Sequence, residues 1–344
     1  MIRFNCDYSE GAHPKVLEKL IQTNLEQTAG YGVDPYCLKA AALIKEKCKK
    51  EDVDVHFLVG GTQTNLTVIS AALRPHQGVI AANTAHINRH ESGAIEATGH
   101  KVLALESTDG KLTANQIKVT CEEHSDDDSY EHTVQPKLVY ISNPTELGTI
   151  YSKAELADIS ETCKNNDLLL YMDGARLGYA LCAEDNDLDL PTIANLCDAF
   201  YIGGTKIGAL FGETLVISNE NLKKDFRYII KQKGGMLAKG RLLGLQFIAL
   251  FEEDLYFDMA RHANKMAMLI KTALIRNGYD FLVPSTTNQQ FPILSNEVLK
   301  KLKENFEYTF EKKIDDKHSA VRFCTSWATD LNDVEKLIAE IDKA

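Results

Sequence analysis

A chain of 344 residues with 44% hydrophobic content is long enough to bury one large core and a smaller satellite domain. Its net charge of −11, with no basic stripe interleaved with aromatics, argues against a nucleic-acid partner. No run approaches about eighteen consecutive apolar residues and MIRFNCDYSEGAHPK has no apolar h-region, so neither membrane spanning nor export is expected. Eight cysteines, spread from Cys6 to Cys324 without CxxC spacing, give neither a zinc site nor a disulfide framework. Unpaired thiols suit a reducing cytoplasm.

Strand-like runs lie near 53–59, 78–82, 101–105, 137–142, 167–172, 197–202 and 214–218, with helical patterns between most of them. This alternation predicts an α/β fold whose large domain, residues 36–245, carries a mainly parallel seven-stranded sheet. The first strand runs into FLVGGTQTN, ending at Gly60 and Gly61 with a helix starting near Thr62. Free backbone N–H groups and the positive end of the helix dipole make such a turn a phosphate cradle, to which Thr62 adds a hydroxyl. The segment is neither GxGxxG nor GxxxxGK[ST], so a dinucleotide or nucleoside triphosphate is not indicated. By itself it is also an ordinary strand-to-helix turn. His86 follows the apolar run GVIAA and so falls near the sheet's carboxyl edge, where its ring can stack on a flat ligand or simply bond within its loop. The stretch CEEHSDDDSYEHTVQ, residues 121–135, contains two histidines but reads as a solvated insertion loop rather than a metal site. From about 239 to 277 the period is helical, bridging to a C-terminal α/β segment. That tail, 246–344, and residues 1–35 are expected to form the smaller α/β domain.

Two residues carry the strongest chemical signal. Asp173 ends the apolar run DLLLYMD, a buried parallel strand, and so sits where open α/β sheets bind ligands. Lys206 follows the next run, CDAFYIGG, on a Gly-rich turn at the same edge. A lysine for a Schiff base and a carboxylate to keep a pyridine nitrogen protonated are what pyridoxal phosphate (PLP) requires. Singly, each has a plain reading: most lysines are solvated, and an Asp after a strand is often a helix cap. Arg176 in MDGAR and Arg322 in SAVRFCTSW supply guanidinium forks that match a substrate carboxylate, although many arginines make only surface ion pairs.

With these pieces assembled, the chain resembles the L-threonine aldolase and aromatic amino acid β-eliminating lyase family over most of its length. The motifs are YGVDPY at 31–36, GGTQTN at 60–65, AHINRHESGA at 85–94, MDGAR at 172–176 and the TK of GGTKIGA. The resemblance implies the aminotransferase-like fold type I, PLP as cofactor, a small amino-acid substrate and a homodimer or homotetramer. It implies Lys206 as the Schiff-base lysine with Thr205 beside it, Asp173 as partner of the ring nitrogen and His86 as the stacking residue. Gly61 and Thr62 match the phosphate loop, Arg176 and Arg322 the carboxylate clamp, and Tyr31 a tyrosine lent to the neighbouring subunit's site.

The departures are specific. Cys6 stands where the family has a substrate-facing serine, Asn143 and Thr145 in NPTELG are the nearest matches to a Glu-Asn-Thr-His stretch, and Leu237 replaces an arginine. Lys231, Lys233, Lys239 and Arg241 are the candidates to take over its phosphate charge. The expected reaction is cleavage of a β-hydroxy-α-amino acid to glycine and an aldehyde, with His86 or a water as base. A β-eliminating lyase is the nearest alternative, followed by an aminotransferase and a non-catalytic binding protein.

Overall fold

The computed structural model describes residues 1–343. Seven strands, β1 (Asp54–Leu58), β2 (Gln77–Ala82), β3 (Lys101–Leu105), β4 (Gln135–Ser142), β5 (Leu169–Asp173), β6 (Ala199–Gly203) and β7 (Glu213–Ile217), form one sheet in the order β1-β7-β6-β5-β4-β2-β3. The neighbours from β6 to β3 are parallel, and only β7 runs antiparallel, to β6 on one side and β1 on the other. Strands β2, β6 and β7 are buried at every position. Helices cover both faces, and this is why the strands read as continuous apolar runs rather than alternating ones.

The parallel register brings strand ends together. Ser142 pairs with Asp173 across β4 and β5, while Gly203 at the end of β6 pairs with Glu213 at the start of the reversed β7. One edge thus receives the carboxyl ends of three strands and the amino end of a fourth.

Helix boundaries follow local chemistry. Helix α1 (Pro14–Gln22) and helix α2 (Pro35–Cys48) each place proline in the first turn, and the Asp34 carboxylate accepts from Tyr36 N and Cys37 N to cap α2. Helix α3 (Gly61–Ala72) begins after β1 at Gly60, with no side chain capping it. The helical stretch expected near 239–277 is two helices, α4 (Arg241–Phe251) and α5 (Leu255–Arg276), separated where Asp254 turns to a left-handed φ of 56°. A period of 3.6 persists across such a corner, so apolar spacing alone does not reveal it. The acidic stretch at 121–135 also differs from a plain loop. Its first five residues complete the helix Ala114–Ser125, which a Thr113–Gln116 capping box nucleates, and the remainder is mostly exposed.

Apolar packing divides partway along α5. Met259, Ala260 and Ala263 belong to the large cluster around the seven-stranded sheet, whereas Met266, Ile270 and Leu274 join a second cluster with Leu294, Val321, Phe323, Val334 and Leu337. That second cluster underlies an antiparallel sheet of Ile293–Ser295, His318–Cys324 and Thr309–Lys313, to which Gln289–Gln290 adds, and the helix Leu331–Ile341. The N-terminal segment contributes to both: Phe4 to the small cluster, Ala12 and Val16 to the large one.

The turn after Asp173 is the tightest point of the sheet edge. A Cβ on Gly174 would lie 1.8 Å from the Tyr201 carbonyl oxygen, a backbone atom that cannot yield without shifting β6. We expect Gly174→Ala to lose about 3 kcal/mol of unfolding free energy in urea titration, as overpacking of a rigid core does. A loss under 0.5 kcal/mol would mean the edge is soft.

Candidate active site

Asp173 is 4% exposed and fully saturated with donors. Its Oδ1 accepts from Tyr201 Oη at 2.6 Å and Ala175 N at 2.9 Å, and its Oδ2 from Tyr140 Oη at 2.6 Å and Asn65 Nδ2 at 3.1 Å. The two tyrosines come from β4 and β6, the strands flanking β5, so the sheet itself supplies the clamp. Burial alone raises this carboxyl's pKa, but the charge of His86 and the hydroxyls of Tyr140 and Tyr201 outweigh it and hold the group below the ordinary carboxylate value.

Lys206 lies on the turn after β6, and its ammonium makes no hydrogen bond or ion pair among the described residues. Burial first, and then the Arg176 charge, push its proton affinity down, against the opposing pull of Asp7, Asp173 and Glu213. Thr205 beside it donates Oγ1–H to Glu213 Oε1 at 2.9 Å and accepts from Gly212 N at 3.0 Å.

The two arginines have different surroundings. Arg176 is engaged in a bidentate pair with fully buried Asp7, Nε to Oδ2 at 2.7 Å and Nη2 to Oδ1 at 3.0 Å. Asp7 also accepts from Asn288 Nδ2 at 3.0 Å, which fills the carboxylate further. Arg322 is looser: Nη2 donates to Asn5 O and Thr309 Oγ1, each at 3.2 Å, and Nε stands 3.6 Å from Glu311. Its Nη1 has no partner among the described residues.

His86 opens the short helix His86–Arg89. Its Nδ1 lies 2.8 Å from Glu91 Oε1, which also accepts from Asn65 Nδ2 at 2.8 Å, so one amide links the His86–Glu91 pair to Asp173. Glu146 receives His86 N at 2.9 Å and Ser142 Oγ at 2.7 Å. Asn143 and Thr145 instead turn into the loop, Asn143 Oδ1 accepting from Tyr151 N and Thr145 Oγ1 bonding Thr149 Oγ1.

At the start of α3 the chain offers Gly61, Thr62 and Gln63 N–H groups with no capping side chain. Gly61 is required there by close approach, since a Cβ would meet Tyr201 Oη at 2.9 Å and disturb the hydroxyl that holds Asp173. Cys6 is partly buried, its Sγ 3.2 Å from Ser9 Oγ.

Tyr31 lies apart from this constellation in its own chain. It is 47% exposed at φ 62°, with the Lys231 ammonium 4.8 Å from its ring centre, and the cleft beside it is walled by His56, Arg227 and Leu237. Of the four basic candidates, Arg241 is committed to Glu26 O and Asn24 O, whereas the Lys233 carbonyl accepts from Gln63 Nε2 at 3.2 Å beside the α3 cradle.

Sequence reading did not single out Asp7, Asn65, Glu91, Tyr140, Tyr201 or Glu213. Asn65 and Glu91 stand inside the quoted motifs, Asp7 directly follows Cys6, and the tyrosines follow from the period-two alternation that puts Tyr140 on the face of Ser142. Glu213 had no signal beyond a lone acid opening an apolar strand.

The fit to PLP is chemical. An uncapped helix start suits its phosphate, a carboxylate held ionised suits its ring nitrogen, and an unpartnered lysine of lowered proton affinity suits its aldehyde. Buried Glu91 Oε2 and Thr84 Oγ1, which lack partners, mark further unmet polar capacity near His86.

Sheet order and site together define an enzyme of aminotransferase-like fold. The chain is similar to a Thermus thermophilus aspartate aminotransferase at a TM-score of 0.71 and 15% identity, covering all of this chain and 91% of the other, a likeness of fold alone. The chain belongs to the β-eliminating lyase family, whose model matches residues 6–297. It is 31% identical to the low specificity L-threonine aldolase of Pseudomonas aeruginosa over 98% of this chain and 96% of that one. A threonine aldolase from Leishmania major superposes at a TM-score of 0.97 with 47% identity, covering 100% of this chain and 99% of the other.

The Asp7–Arg176 pair has a pH signature. Burial raises the Asp7 carboxyl, but the Arg176 and Lys206 charges hold it below its ordinary value, so the pair's stability is present above the ordinary carboxylate range and lost as pH falls through the depressed value. We expect Asp7→Asn to cost about 3 kcal/mol at pH 7, because it leaves Arg176 buried without its counter-charge. The variant's urea midpoint should also fall less than wild type's below about pH 4, and an unchanged acid slope would remove Asp7 from that linkage.

Proposed function

We propose that this protein is a PLP-dependent aldolase that cleaves β-hydroxy-α-amino acids, threonine among them, to glycine and an aldehyde. The observation that carries the reading is the meeting of unpartnered Lys206 with Asp173 and His86 at one sheet edge, on a chain 47% identical over its length to the Leishmania enzyme. When bound, the cofactor supplies an electron sink for the bond broken at the substrate's Cα.

The chain's own groups do the rest. Lys206 would provide the amine, the α3 N–H groups and Thr62 would hold the phosphate, with Lys233 next to them through its carbonyl bond to Gln63, and Asp173 would supply the negative charge for the ring nitrogen. Glu91 fixes the His86 ring through Nδ1, which leaves Nε2 free to take the β-hydroxyl proton. Because Asp7 fills the Arg176 fork, the α-carboxylate falls to Arg322, with Arg176 acting through Asp7 to support the site. Cys6 in place of a serine makes that wall less polar, and loose side-chain selectivity follows, since an apolar pocket discriminates by only about 1–3 kcal/mol per methylene. The Pseudomonas relatives, named as low specificity enzymes, support this.

The reading includes a homodimer or homotetramer in the cytoplasm, with Tyr31 reaching the partner's site. It is supported by apolar side chains left bare along the α1–α2 segment, Ile21 at 75% and Leu25 at 93% exposure, and by eight free cysteines. Light scattering should return at least a dimer, and Tyr31→Ala should lose activity without losing fold. An active monomer would overturn this part.

Lys206→Ala should abolish turnover while the chain stays folded. Arg322→Ala should raise KM and lower kcat together, reducing kcat/KM about a hundredfold, as loss of a buried charge partner does. The assay is release of glycine and aldehyde across a panel of β-hydroxy amino acids. Pyruvate and ammonia instead would move the activity to β-elimination.

A further inference from the structure

Glu311 lies on Thr309–Lys313, an edge strand of the small sheet, between exposed Phe310 and exposed Lys312. Its own side chain is only 24% exposed. A β-bulge accounts for the difference: Phe310 pairs with Val321 and Lys312 with Ala320, which leaves Glu311 without a residue opposite it. Bulges re-aim side chains, and this one turns a carboxylate inward onto Arg322. The guanidinium has little freedom there. Nη2 donates to Asn5 O and Thr309 Oγ1, and Nε is buried without a hydrogen bond, 3.6 Å from Glu311 Oε1. Nη1 is what remains for a ligand. Among the described residues Glu311 is the only acid in ion-pair contact with Arg322, as Asp7 is for Arg176. Burial raises the Glu311 carboxyl, and the Arg322 and Arg176 charges oppose that rise, so both guanidinium groups act on it. The two arginines are therefore balanced by two acids before any substrate arrives.

We propose that Glu311 is the specificity-determining residue that limits the site to amino acids with one carboxylate and excludes dicarboxylic ones such as β-hydroxyaspartate. The inference rests on Arg322 receiving the α-carboxylate in the proposed aldolase. Nη1 accommodates that first carboxylate. A second one, separated from it by only two carbon atoms, enters the same half-buried region and faces Glu311 with both arginines already paired. Like charges placed together are how a site rejects a ligand of nearly the right shape. Uncharged side chains meet no such penalty, so selectivity among them stays loose.

The test is the binding of L-asparagine and L-aspartate to the cofactor-loaded full chain. The two are close in shape, differ by one charge and lack the β-hydroxyl, so neither undergoes the proposed cleavage. Dissociation constants are measured by calorimetry at about pH 8, where both aspartate carboxylates are ionised. Wild type should bind asparagine at least about tenfold tighter than aspartate, and Glu311→Gln should bring the two within about threefold, since the like charge is gone. Lys312→Gln, an exposed change on the same strand, should leave the wild-type ratio in place. A Glu311 that only steadied Arg322 would alter both affinities equally, so an unchanged ratio in Glu311→Gln overturns the proposal. Wild type that binds aspartate as tightly as asparagine overturns it too, and that arm needs no variant. A protein that binds neither amino acid removes the aldolase reading and this proposal together, whereas an unchanged ratio in a protein that cleaves threonine removes the role of Glu311 alone.

Discussion

Everything at the active edge depends on keeping one carboxylate ionised inside the protein. Asp173 is surrounded by four donors, two of them phenols from the adjacent strands, and every one favours the charged form. Without them, burial would favour the neutral acid. The donors have further obligations. A Cβ on Gly61 would meet Tyr201 Oη at 2.9 Å, so the start of α3 and the Asp173 carboxylate share a wall. Asn65 bonds Asp173 and Glu91 with the same amide, which ties His86 through Glu91 to Asp173. A change at any of these positions propagates through shared partners, so their effects should not add.

A second constraint is electrical balance. Asp7, Glu91, Glu146, Asp173 and Glu213 are gathered around Lys206, Arg176, Arg322 and His86. The acids divide by partner. Asp7 and Asp173 are held below their ordinary values by cations and donors, whereas burial raises Glu146 and Glu213. Groups pushed apart in this way can coexist in different protonation states.

Much of this was legible in the sequence because backbone geometry enforces it. Seven apolar runs give seven strands, since a sheet covered on both faces has no polar side to break the pattern. Asp173 and Lys206 meet because strands of one parallel sheet end at one edge. The corner at Asp254 was hidden, since apolar spacing does not register a single left-handed residue. Pairing partners were hidden too. That Arg176 belongs to Asp7 and His86 to Glu91 depends on which loops are brought together, and residue type alone does not encode it.

The pairing of Arg176 also bears on why the edge tolerates divergence. A guanidinium already satisfied by Asp7 forms a buried, electrically neutral pair, whereas Arg322 keeps one amino group free. Cys6 then changes the polarity next to Asp7 without unbalancing buried charge, because its Sγ bonds Ser9 Oγ outside the Asp7–Arg176 and Asp173 networks, whereas Leu237 lines the separate cleft beside Tyr31. The buried groups of the edge are mutually satisfied, whereas Cys6 and Arg322 remain partly exposed. Divergence should therefore collect at the rim, where a changed side chain costs a few tenths of a kcal/mol, and not at the buried pairs, where it costs about ten times more.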